Sequence, residues 1–240
     1  MTPRKLVDVV ASLLGAALVA AALVIIWVAR LSVHTFNLYV SELGATGVPT
    51  AHEFQIALLL IVTGGTLIAF AGKDVRSRVR FLAVWTPAVS LWAASGFFLV
   101  ASQVTCTVGC PLPWGGPVFD WQDFTHIVCA VLAFAAASWG ILQTAFAHDH
   151  RGLARFSLVA AVAVAVISSV GGILSLLQFQ TEIGASAELA ATTIAIVWVV
   201  VYGAATAGAR IRAQRPRALA VRVESGDINS SSRFASPTST

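Results

Sequence analysis

Six blocks of predominantly apolar residues, each about 18 or more long, constrain this chain more than any other feature, because a helix rising roughly 1.5 Å per residue then matches the hydrocarbon core of a bilayer. The blocks cover residues 6–29, 54–71, 81–101, 124–147, 156–177 and 189–209. Their runs are continuous, whereas barrel strands are short and alternate, and within lipid each span must satisfy its own backbone hydrogen bonds. The expected fold is therefore all-α: a polytopic integral membrane protein whose six transmembrane helices form one bundle over residues 1–210. Composition agrees, since 58% of residues are hydrophobic and 11% charged, against roughly a quarter charged in a soluble domain.

The placement of charge predicts orientation. Arg4 and Lys5 precede the first block; Lys73, Arg76, Arg78 and Arg80 lie between the second and third; Arg151 and Arg155 lie between the fourth and fifth. Arg210, Arg212, Arg215, Arg217, Arg222 and Arg233 follow the sixth, so that of 15 basic residues only Arg30 falls in an alternate segment. An excess of Lys and Arg marks the cytoplasmic side, which predicts both termini in the cytoplasm of a multi-pass plasma-membrane protein. The net charge of +4 is thus a topological signal and not a nucleic-acid surface. The first block is expected to stay as a helix and not be cleaved, because it exceeds the apolar core of a signal peptide and Trp27-Val28-Ala29-Arg30 is a poor cleavage site.

Residues 211–240 read as a basic and then disordered cytoplasmic tail, too poor in apolar residues to fold alone. The basic stretch 210–217, where the last block passes into this tail, can either anchor topology or bind anionic headgroups. Gly64-Gly65, Ser168-Ser169 with Gly171-Gly172, and Gly203 to Gly208 put small residues where helices can pack closely. The segments 41–46 and 181–186 are self-similar, each expected to open an outward-facing loop and each carrying a Glu, Glu42 or Glu182. Chance similarity and a true repeat are both compatible with so short a match.

Charge within the spans is nearly absent; Asp8, one turn into the first block, is expected to pair with Arg4 and Lys5. The outer loops instead hold His34, Glu42, His52, Glu53, Asp120, Asp123, His126, Glu182 and Glu188. If the fourth helix begins near Asp120, Asp123 and His126 share a face and could ligate a divalent metal, Zn²⁺ or Mn²⁺, with His52 and Glu53 completing the set. The plainer reading makes Asp120 and Asp123 helix-start residues and gives His126 a hydrogen bond within the loop. Cys106 and Cys110 lie on the oxidising side, where a short-range structural disulfide is expected.

Tyr39-Val-Ser-Glu-Leu-Gly-Ala45, with its candidate outer-loop residues Ser41, Glu42 and Gly44, the Cys106-to-Cys110-Pro111 loop and Asp123-x-x-His126 together resemble the bacterial and archaeal six-helix membrane family catalogued as domain of unknown function 998. The likeness covers about residues 6–209. It extends distantly to the DRAM- and FRAG-like six-helix proteins of eukaryotes, which carry a comparable Ser-acid-x-Gly element. The resemblance implies a fold and no catalytic residue. Ala-, Val- and Arg-rich usage suits a high-GC bacterium.

Two functions fit these features. In the first the chain is a non-enzymatic sensor, scaffold or accessory protein, with no cofactor, whose extracytoplasmic loops bind a protein or lipid partner. In the second it is a metal-dependent, membrane-embedded hydrolase or transferase acting at the outer leaflet through His52, Glu53, Asp123 and His126.

Overall fold

A computed structural model describes residues 2–33, 38–107, 120–148, 150–177 and 179–213. Among them the chain is all-helical: α1 (Pro3–Ser32), α2 (Ala51–Ala71), α3 (Pro87–Gln103), α4 (Trp121–Ala145), α5 (Arg151–Leu176) and α6 (Thr181–Arg212), with a 3₁₀ turn over Ser41–Gly44 between α1 and α2. Each helix packs on its neighbours in sequence, and α6 closes onto α1, so the six form a ring of antiparallel neighbours. α6 also touches α2 and α4 across the ring. Its Trp198 and Tyr202 are fully buried, stacked at 5.1 Å between ring centroids.

Five helices, α1, α2, α4, α5 and α6, are long and apolar enough to cross a membrane. Their surface is that of a lipid-facing bundle. Many large aliphatic side chains point outward, among them Val24 at 62% exposure and Val159 at 69%, while Ala, Gly and Ser recur inside beside larger buried residues such as Ile26, Ile68 and Trp198. Lipid is as apolar as leucine, so helices gain by close backbone packing and not by hiding side chains. The α1–α2 crossing shows this most sharply: a Cβ on Gly15 would lie 2.6 Å from the Gly64 carbonyl oxygen, and one on Gly64 would lie 2.6 Å from that of Gly15.

Many polar side chains in the interior are paired, as a medium without water favours, although among the described residues Trp139 Nε1, Ser168 Oγ and Arg210 Nη1 are buried without a hydrogen-bond partner. Ser12 Oγ donates to the Gly203 carbonyl and lies 3.0 Å from Thr206 Oγ1, joining α1 to α6. Trp198 Nε1 donates to Ser157 Oγ at 2.8 Å, joining α6 to α5. Gln143 of α4 accepts from Ser90 Oγ at 2.7 Å and donates to the Leu82 and Trp85 carbonyls, joining α4 to α3 and to the segment before it.

Several expectations are corrected. The third apolar block starts at residue 81, but helix begins at Pro87 and residues 81–86 turn. Proline fits the first helical turn and disfavours helix in the residue before it, and Thr86 is extended. At 17 residues α3 spans only about 26 Å. The segment 181–186 does not open a loop; it forms the first turns of α6, which runs further toward its N-terminus than its apolar block. Asp8 forms no ion pair with Arg4 or Lys5; the ion pair found among the described residues joins Arg210 to Asp74 at 2.8 Å. The tail beyond residue 213 lies outside the described residues.

The antiparallel order sorts charge by end. Arg4, Lys5, Lys73, Arg76, Arg78, Arg80, Arg151, Arg155, Arg210 and Arg212 gather at one end, and of the described basic residues Arg30 alone lies toward the other. Glu42, His52, Glu53, Asp120, Asp123, His126, Glu182 and Glu188 gather at that second, acidic end.

Candidate functional site

The acidic end is built around residues 104–107, the segment that leaves α3. The start of α4 holds it from one side. Asp120 caps α4, its carboxylate accepting from the Gln122 backbone N–H at 2.8 Å. One turn on, Asp123 is buried and turns away from its own helix: its two carboxylate oxygens accept from the backbone N–H and the hydroxyl of Thr107, both at 2.7 Å. A further turn along the same face, buried His126 places Nδ1 3.0 Å from the Ala101 carbonyl and 2.6 Å from that of Val104. Both partners are acceptors, so Nδ1 carries the proton, and in the neutral imidazole Nε2 holds the lone pair. The helical spacing of Asp123 and His126 is as expected from sequence; what they grip is the end of α3.

From the other side the α1–α2 connection closes over the same segment. The Thr46 N–H donates to the Cys106 carbonyl at 2.8 Å, and the Thr46 and Thr105 hydroxyls are 3.0 Å apart. Ser41 lends its carbonyl, 3.9 Å from the buried Cys106 sulfur. Glu42 folds back so that its carboxylate accepts from the Tyr39 N–H at 2.7 Å. Gly44 is required by proximity, because a Cβ there would run into the Phe54 ring. The three sequence elements singled out above, around 41–46, 104–107 and 120–126, thus form one hydrogen-bonded cap.

Two residues of this cap lay outside the candidate set. Glu188 of α6 accepts from the Val40 N–H at 2.9 Å, and the Tyr39 hydroxyl lies 2.9 Å from Ser175 Oγ of α5. They tether the α1–α2 connection to the last hairpin. Gly184, in the second of the self-similar segments, packs against the Tyr39 hydroxyl, two residues before the first. Nothing local announces Glu188, which stands in a helical turn among small residues; its signal is a carboxylate at an apolar helix face, opposite a chain segment with free N–H groups.

His52 and Glu53 stand exposed at the start of α2. Among the described residues no three His, Cys, Asp or Glu side chains come together as a metal-binding group, so His52 and Glu53 are not joined with Asp123 and His126 into the expected ligand set. Cys110, the expected partner of Cys106, lies outside the described residues, and Cys129 within α4 is a free thiol. Exposed at this end are Glu53, Asp120 and Glu182 with His52. Compared with known proteins, the chain matches no protein-family model, no curated protein and no solved structure.

Proposed function

We propose that the chain is a six-span plasma-membrane protein with both termini cytoplasmic, and that it acts without catalysis, as a sensor, scaffold or accessory protein whose acidic outer cap binds a cationic protein segment or lipid headgroup. The observation that carries this reading is the commitment of the polar groups of the cap. The Asp123 carboxylate, His126 Nδ1 and the Glu42 and Glu188 carboxylates all bind backbone or hydroxyl groups of the chain itself, while the exposed Glu53, Asp120 and Glu182 offer a negative surface. A cap organised in this way holds a shape and presents charge. In this reading α3 is the sixth span, its shorter length offset by local thinning of the bilayer, and the likeness to domain of unknown function 998 reflects a shared cap.

A metal-dependent reading has one observation in its favour. His126 donates through Nδ1 to backbone carbonyls, the arrangement that orients a ligating histidine and leaves Nε2 for the metal. Among the described residues it lacks converging third and fourth ligands. Elemental mass spectrometry on detergent-purified protein after zinc and manganese supplementation separates the two. The proposal expects no stoichiometric metal in wild type or His126→Ala; about one zinc or manganese per chain, lost in the variant, would overturn it in favour of the hydrolase or transferase.

A further inference from the structure

We propose that the cavity at the basic end, walled by Arg4, Val7, Asp8, Phe70, Lys73 and Arg210, binds the phosphate headgroup of an anionic phospholipid in the adjacent leaflet. The cavity has a volume of about 300 Å³ and lies where the start of α1, the end of α2 and the end of α6 meet. Its charged lining is unevenly paired. Arg210 Nη2 donates to the Ala71 carbonyl and to the Asp74 carboxylate, but its Nη1 is buried and has no hydrogen-bond partner among the described residues. A buried guanidinium donor left unsatisfied is unfavourable, and a phosphate oxygen is the acceptor a guanidinium fork fits best. Lys73 Nζ sits 3.7 Å over the Phe70 ring and, like Arg4, has no carboxylate within ion-pair distance among the described residues. With Asp74 paired to Arg210, Arg4 and Lys73 outweigh Asp8 and the site attracts an anion.

The apolar half of the lining points to a lipid and not to free phosphate. Val7 and Phe70 are 58% and 49% exposed, and Val10 and Leu14 continue the exposed apolar face of α1 at helical spacing. A headgroup seated on the cations would lay an acyl chain along that face. Of the basic stretch 210–217 this site uses only Arg210, which still belongs to α6, and it is independent of the acidic cap.

The test uses the full chain reconstituted in nanodiscs of phosphatidylcholine containing phosphatidylglycerol, with retained lipids counted by native mass spectrometry after release. Arg4 and Lys73 are exposed, so Lys73→Gln and the Arg4→Gln/Lys73→Gln pair leave the fold intact, as circular dichroism checks. Wild type is expected to retain phosphatidylglycerol over phosphatidylcholine, with affinity falling about fivefold for each cation removed. Equal retention of the two lipids, or undiminished phosphatidylglycerol on the double variant, would overturn the proposal. So would inorganic phosphate binding to the detergent-solubilised protein with no preference for phosphatidylglycerol, which would make this a site for the free anion.

Discussion

Removing the His126 imidazole would strip a donor from the Ala101 and Val104 carbonyls, where α3 gives way to the outer segment. His126→Ala is therefore expected to lower stability by about 1–3 kcal/mol and to speed backbone hydrogen exchange at residues 101–107, with no comparable change at the basic end; uniform acceleration throughout the bundle would count against a local tether. Asp123→Asn keeps the shape but replaces one of the two acceptors of the Thr107 bonds with an amide group. It should accelerate exchange at the Thr107 amide in the same measurement, and an unchanged Thr107 amide would remove Asp123 from the cap. The pairing of Asp123 with His126 was legible because both lie on one helical face, a short-range property. Their partners were not. Thr107 and Val104 are 16 and 22 positions away, and no sequence signal says that this segment folds back over the start of α4. The same holds for Glu188 and the Val40 N–H, whose separation of 148 positions is closed only when α6 completes the ring.

Between elements, backbone approach decides what is tolerated. Gly15→Ala or Gly64→Ala drives a methyl group against the facing carbonyl oxygen, so each should lower the thermal stability of the detergent-solubilised protein by about 1–3 kcal/mol through overpacking. Gly172→Ala, where an added Cβ meets nothing within 4 Å, should change it by no more than about 0.5 kcal/mol. Equal effects at the two sites would refute the close crossing. Gln143→Leu should release the Leu82 and Trp85 carbonyls and expose residues 81–86 to hydrogen exchange before α3 itself loosens; protection retained there would mean that the glutamine is not what secures this turn. The existence of each helix was legible from its apolar block, but two starts were not. Phe81 to Trp85 are apolar enough to continue a span, and only Pro87, suited to a first turn, marks where helix begins. The opposite happens in α6, where polar Thr181 to Glu188 look like a loop yet are helical, because a helix can continue beyond the apolar core when its side chains find partners in the cap.

The described residues form a ring of six helices with charge divided between its ends, and the orientation follows from that division if basic residues stay in the cytoplasm. The number of crossings turns on α3, which at 17 residues is shorter than the other five helices, the next shortest having 21. Parity exposes it, since six crossings return the chain to the side on which it started and five do not. The decisive measurement attaches, in separate fusions at each terminus, a fluorescent protein that matures only in the cytoplasm and a phosphatase active only outside. A six-span topology with both termini cytoplasmic predicts fluorescence and no phosphatase activity at both ends. Phosphatase activity at either terminus would contradict it, and activity at one terminus alone would mean an odd number of crossings.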